Sequence, residues 1–164
     1  VEPDAVADVE RVPIADDSVD IVICTEVLEH VADPVSVIRE AYRALRNGGC
    51  LVVSMPFLFP IHGDPQDYQR FTGFKLEHLL EQAGFNTIKV WPQGGYFLVL
   101  ADMLRAGVVG IHPAPLRWSV ELLLLPLLWV LEGLDGSPWT LRSSFLSSYT
   151  TGFMIVGVKS ERER

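Results

Sequence analysis

VDIVICT, residues 19–25, is a nearly unbroken β-branched run behind the turn-like ADDS, the pattern of a strand buried on both faces of a sheet. A helix signal follows it closely. Asp33 is a natural N-cap, and Pro34 suits the first helical position, where its missing N–H costs nothing. Val37, Ile38, Ala41, Ala44 and Leu45 then recur at helical spacing until Asn47-Gly48-Gly49, which the pattern predicts as the helix end. CLVVSM, residues 50–55, reads as a second buried strand, so the order strand, helix, strand with short connections predicts a parallel crossover.

The pattern then repeats. Thr72 can cap a helix carrying Phe74, Leu76, Leu79, Leu80 and Ala83, Gly84 stops it, and NTIKVW (86–91) and finally GFMIVGVK (152–159) are strand-like. This alternation predicts an open α/β sheet with helices on both faces, and ligands of such sheets collect beyond the carboxyl ends of the strands. EVLEHVADP, residues 26–34, sits at one of those ends.

At 164 residues, nearly half of them apolar, the chain is expected to form one domain over 1–164. A formal charge of -8 without any basic stripe argues against a nucleic-acid partner. Cys24 and Cys50 lack C-x-x-C spacing and lie in apolar runs, as buried thiols of a reducing compartment do. The acidic opening residues lack the apolar core of a secretory leader, so the expected location is cytoplasmic.

A helical insertion is expected at about 95–150, before the last strand. YFLVLADMLRAG and PLRWSVELLLLPLLWVLEGLD both read as helices, the second breached by Pro126. Only Leu122 to Leu131 is free of charge, well short of the ~20 apolar residues of a spanning helix. Three readings stand for residues 96–134: a cap over the site, a homodimer interface, or a peripheral membrane contact with Trp118 and Trp129 at the boundary. A buried cap or interface is favoured, because interfacial helices normally carry more Lys and Arg.

DAVADVERVPIADDSVDIVICTEVLEHVADPVSVIREAYRALRNGGCLVVSMP, residues 4–56, resembles the class I S-adenosylmethionine-dependent methyltransferases of type 11, with their D-x-x-x-LPF-x-D-x-SFD-x-V, VLEHV-x-DP and E-x-x-R-x-L-x-PGG segments. FTGFKLEHLLEQAGF is similar to a further segment of the same family. Departures are conservative: Val12, Ile14 and Val19 replace Leu, Phe and Phe, and Asn47 replaces Pro. The resemblance implies a partial Rossmann-like methyltransferase sheet, mostly parallel with the last strand antiparallel, S-adenosyl-L-methionine as cofactor, and no metal.

The resemblance also implies roles. Asp8 and Val9, ending the strand-like AVADV, match the place where the family holds the adenine. Thr25, Glu26 and Val27 match the turn that passes the sulfonium and amino acid end of the cofactor, and His30 lies in the same segment. An acidic, dry rim favours a cation. Glu29 and Asp33, just before a helix N-terminus, read as structural, and His30 more often packs than touches a ligand.

PFLFPIHGDPQDYQRFT, residues 56–72, is a polar and aromatic loop where α/β enzymes put substrate contacts. It resembles the H-x-x-P-x-D-[YF]-x-R-[YF]-T loop of some type 11 enzymes linked to polysaccharide or lipid-linked glycan pathways. His62 can take a proton from an acceptor hydroxyl, while Asp67, Tyr68 and Arg70 can orient that acceptor or bind an acidic one. Methyl displacement depends on alignment more than on acid–base help, so an i,i+3 Asp67–Arg70 brace and a capping His62 carry equal weight. A metal reading of His62, Asp64 and Asp67 is weak, since no second histidine completes a ligand shell.

The family's glycine-rich turn and ribose-binding carboxylate would lie before AVADV. With Val1 as the first residue, the chain is expected to be the C-terminal part of a longer enzyme that methylates a small-molecule, sugar or lipid-linked acceptor. The alternative is a noncatalytic methyltransferase-like module that docks through its apolar insertion. Ser54 and Ser119 lie in no G-x-S-x-G elbow, which leaves a hydrolase little support.

Overall fold

The computed structural model of the chain describes residues 5–63 and 66–160. Among these it divides into two compact units, one made of 5–55, 63, 66–91 and 154–160, the other of 56–62 and 92–153.

The first unit holds an α/β sheet. Its strands are β1 (Val19–Thr25), β2 (Leu45–Pro56), β3 (Phe85–Gln93) and β4 (Gly152–Lys159), in the order β1-β2-β4-β3. Helix α1 (Pro34–Ala44) links β1 to β2, which run parallel in the expected crossover, and α2 (Gly73–Ala83) leads into β3. The cap signals act as read. The Asp33 carboxylate accepts from the N–H groups of Val35 and Ser36, and the hydroxyl of Thr72 accepts from Lys75 N–H. Gly84 ends α2 at φ +102°, and a Cβ there would stand 3.1 Å from the Tyr42 ring, so the position needs glycine twice over.

The core is apolar. Leu28, Ile38, Leu45, Leu51, Met55, Leu76, Leu80 and Ile155 are essentially inaccessible to solvent. The Lys159 ammonium is also buried and donates to Asp17 Oδ1, Tyr42 O and Leu45 O, each at 2.7 Å, above the Tyr42 ring.

Three expectations need correction. The Asn47-Gly48-Gly49 segment does not end α1. The helix stops at Ala44 because fully buried Leu45 already pairs with Val19. The next registered pair is Ile21 with Cys50, so the intervening residues 46–49 bulge, with Gly48 at φ +77°. Strand β1 is not buried on both faces. It stands at the edge of the sheet, and with β2 as its one partner among the described residues, Ile21 and Ile23 remain 57% and 69% exposed. AVADV forms no strand in residues 5–9: Asp8 makes an isolated antiparallel bridge with Arg11 inside a tight turn, because no neighbouring strand among the described residues offers it a ladder.

The second unit is helical, with α3 (Tyr96–Val109), α4 (Ala114–Asp135) and α5 (Pro138–Arg142). Pro126 sits inside α4 without ending it. Asp135 at the end of α4 accepts from the N–H groups of Gly95 and Leu98, satisfying the open N-terminus of α3. Tyr149 packs edge-on against both Tyr96 and Phe145, whose rings are tilted 49° to each other, and Phe57 stacks edgewise on Phe153. Helix α4 is not covered within this chain, since Leu122, Leu123, Leu125, Trp129 and Val130 are exposed while Leu128 is buried; that departs from the cap half of the favoured cap-or-interface expectation and leaves the interface half as an expectation.

Candidate functional site

The site is built where β1 ends. Because Thr25 pairs with Ser54 across the parallel β1–β2 ladder, the next residue, Glu26, is carried past the last strand hydrogen bonds. Its N–H still donates to Ser54 O at 3.1 Å. Its backbone then turns into the left-handed region, φ +53°, which L side chains adopt at a cost. The exposed carboxylate is held from below by the buried Ser54 hydroxyl, which donates to Glu26 Oε1 at 2.6 Å. A strained, hydrogen-bonded carboxylate thus stands at the carboxyl end of a parallel strand, the place where ligands of such sheets collect.

A 3₁₀ turn, Leu28–His30, follows. It buries Leu28 and Glu29 completely and serves as the seat for the loop before α2. Tyr68 N–H donates to Glu29 O at 2.8 Å, and the Gln69 amide reaches Leu28 O and Val31 O at 2.8 and 2.9 Å. His30 Nδ1 stands 2.6 Å from Gln66 O; since a carbonyl only accepts, that nitrogen carries the proton. His30 therefore anchors the loop.

Asp67 and Arg70 form the i,i+3 pair. Their contact is bidentate, with Arg70 Nη2 2.6 Å from Asp67 Oδ2 and Nη1 on Oδ1, and the Asp67 side chain is 1% exposed. Hydrogen bonding to Asp67 raises the Arg70 pKa, with Glu29 and Glu26 adding to the same effect, so a fixed positive charge stands among three carboxylates. The brace reading of these two residues describes this geometry. Tyr68 is half exposed, and its hydroxyl bonds Gln66. His62 belongs to the other unit, with Nδ1 3.3 Å from Pro60 O and its ring edge-on to Phe59. Asp64 lies outside the described residues.

Within the first unit, an apolar cavity of about 220 Å³ is lined by Val9, Val22, Val27, Leu28 and Val37 among others. Val9 and Val27 share it, so the segments bearing Asp8 and Glu26 converge on one space. The Asp8 carboxylate accepts from Glu10 N–H at 2.9 Å. Cys24, facing the same cavity, is a poor nucleophile: burial, and secondarily the charge on Glu29, push its thiol up to about 11. Both cysteines are free.

Sequence reasoning missed Ser54 as the partner of Glu26 and Gln69 as the loop's anchor. The signal for Ser54 was one hydroxyl in an otherwise apolar strand.

Residues 2–53 match a family model described as a methyltransferase domain. Over this stretch the chain is similar to methyltransferase domains. It is 36% identical over 81 residues to a probable S-adenosylmethionine-dependent methyltransferase of Mycolicibacterium smegmatis, an alignment covering 46% of this chain and 32% of that protein. It is 31% identical over 119 residues to a ubiquinone biosynthesis O-methyltransferase of Aeromonas salmonicida, covering 65% and 44%. The chain thus spans less than half the length of these relatives. Among solved structures, Haemonchus contortus phosphoethanolamine N-methyltransferase 2, in complex with phosphomonomethylethanolamine and S-adenosylhomocysteine, superposes with a TM-score of 0.55 at 16% identity, over 95% of this chain and 37% of that one. That likeness concerns the fold, and it agrees with the α/β sheet described above.

Proposed function

We propose that this chain carries the methionine-side wall and the acceptor loop of an S-adenosyl-L-methionine-dependent methyltransferase, and that the acceptor is a small, apolar or lipid-linked molecule. The observation that carries the reading is Glu26: strained at φ +53°, fixed by Ser54, and placed where a parallel strand delivers ligands. The donor set suits the group. A carboxylate rim complements an ammonium and a sulfonium, and the valine-lined cavity beside it excludes water from an apolar ligand.

When bound, the cofactor supplies an electrophilic methyl group; everything else falls to the protein. Glu26 binds and orients, with Ser54 denying its carboxylate other rotamers. The 66–72 loop, seated by His30 and Gln69 and braced by Asp67–Arg70, presents Tyr68 at the surface as the acceptor contact. With the Asp67 carboxylate committed to Arg70, alignment supplies the rate rather than proton abstraction at that position.

The acceptor class is supported by the apolar exposure of the helical unit and by the ubiquinone O-methyltransferase among the relatives. The test is calorimetric titration of S-adenosylhomocysteine into protein expressed from the complete reading frame, followed by Glu26→Gln. Binding that the substitution weakens about tenfold or more supports the reading. Absence of binding in the complete protein rejects it in favour of a noncatalytic module.

A further inference from the structure

We propose that α3 and α4 form a membrane-docking element whose α4 face sinks into one leaflet of a lipid bilayer. Helix α4 has 22 residues and a mean hydropathy of 1.5 over its most apolar stretch, yet only 11% of that stretch is buried. At 3.6 residues per turn, the exposed residues Leu122, Leu123, Leu125, Leu127, Trp129 and Val130 sweep an arc of roughly 200°, and Leu124, Leu128 and Leu131 fill the remainder. A water-facing helix of a soluble domain carries polar residues over such an arc; one that is apolar nearly all round belongs in an apolar medium.

The charges point the same way. The ionisable residues of α3 and α4 are Asp102, Arg105, Arg117, Glu121, Glu132 and Asp135, and every one is matched within the unit. Arg105 pairs with Asp102 at 3.1 Å and with Glu132, and Arg117 pairs with Glu121 at 3.5 Å. Asp135 is taken up by the N–H groups of Gly95 and Leu98. Mutual pairing of this kind is how ionisable groups persist beside hydrocarbon.

Length argues against passage. The charge-free stretch Leu122–Leu131 spans about 15 Å at 1.5 Å per residue, well short of a hydrocarbon core of about 30 Å, which suits a helix lying along one leaflet rather than crossing both. Trp118, Trp129 and Trp139, at 60%, 77% and 63% exposure, supply the amphipathic rings found at the headgroup level. A second copy of the chain is the poorer occupant. Protein interfaces carry a hydrogen bond for every 100–200 Å² or so, and between Leu122 and Val130 the Trp129 indole is the one side-chain donor. Lipid chains ask for none.

The experiment is flotation of the chain with phosphatidylcholine vesicles and with vesicles containing phosphatidylglycerol. The wild type is expected to float with both, at low and high salt alike, because the element has no unmatched cation to attract anionic lipid. L123E/W129E, which alters two exposed positions and leaves the buried face of α4 intact, is expected to lower the partition coefficient at least about tenfold. Phe74→Ser, at an exposed apolar residue of the other unit, is expected to float unchanged, and circular dichroism checks that both variants keep wild-type helicity. The proposal is overturned if the wild type stays at the bottom of the gradient, if it floats only with anionic vesicles and is released by salt, or if L123E/W129E floats as the wild type does. Sedimentation of the wild type as a dimer that the double variant splits, with neither floating, assigns the face to a second copy and overturns it equally.

Discussion

Replacing Glu26 by glycine separates backbone strain from carboxylate chemistry. At φ +53° an L side chain costs about 1–2 kcal/mol that glycine does not pay, and glycine loses about 0.5–1 kcal/mol through the greater freedom of the unfolded chain. The substitution also removes the acceptor of the Ser54 hydroxyl, a hydrogen bond to a charged group of which roughly 1 kcal/mol survives at this exposed carboxylate. These contributions nearly cancel. Glu26→Gly should lie within about 1 kcal/mol of the wild type, whereas Glu26→Ala keeps the strain, loses the bond, and should cost about 1–2 kcal/mol. Urea denaturation resolves that ordering. Cofactor affinity should not follow it: both variants lack the carboxylate and should bind S-adenosylhomocysteine about ten- to a hundredfold more weakly in the complete protein, as expected for losing one charge-assisted contact of about 1.5–3 kcal/mol. A Glu26→Gly protein that binds with wild-type affinity refutes the role given to this carboxylate. One destabilised by more than about 3 kcal/mol refutes the account of its backbone.

Three further substitutions probe the scaffold. Lys159→Met keeps the buried stem but strips the donor from Tyr42 O and Leu45 O, so it should lower stability by about 2–4 kcal/mol in urea titrations. Cys24 should leave its mark at alkaline pH. Because its thiol is raised to about 11 in the fold, mainly by burial, the unfolded thiolate forms first, and the unfolding free energy should fall by about 2–3 kcal/mol as pH climbs from about 9 toward 11. Nothing should change below that window; Cys24→Ala should flatten the decline, and an equally steep one would discount the thiol. Gln69→Ala leaves Leu28 O and Val31 O without their donor, which should cost about 1–3 kcal/mol and make the 66–72 loop a preferred cleavage site in limited proteolysis.

Where the fold was legible, the signal was local. Asp33, Thr72 and Gly84 act through partners within four residues along the chain, so cap chemistry alone set those helix ends. Asn47-Gly48-Gly49 misled because the same residues serve equally well in a bulge, and what decides between the two uses is the pairing of Leu45 with Val19, far away in sequence. VDIVICT misled for the opposite reason. A continuous apolar run reports that a strand wants cover on both faces, and burial depends on which neighbours are there to supply it; Ile21 and Ile23 are exposed because β1 stands at the edge.

The site divides along the same line. Asp67 and Arg70 are three residues apart, and their pairing could be read directly. Glu26 could be placed at a strand end because the run before it is unmistakable. Its strain and its hold on Ser54 exist only through the β1–β2 register, and Gln69 reaches carbonyls 38 and 41 residues away that no local pattern announces. The legible residues are therefore those whose partners are near in sequence. Those that fix the geometry, Ser54, Gln69 and His30 in its anchoring role, act across the tertiary structure, so a loop reading of 56–72 could name candidate groups without telling which of them were already spoken for. Arg70 shows the consequence: read alone it is a ready anchor for an acidic acceptor, but with a nearly inaccessible Asp67 in its fork it positions the loop.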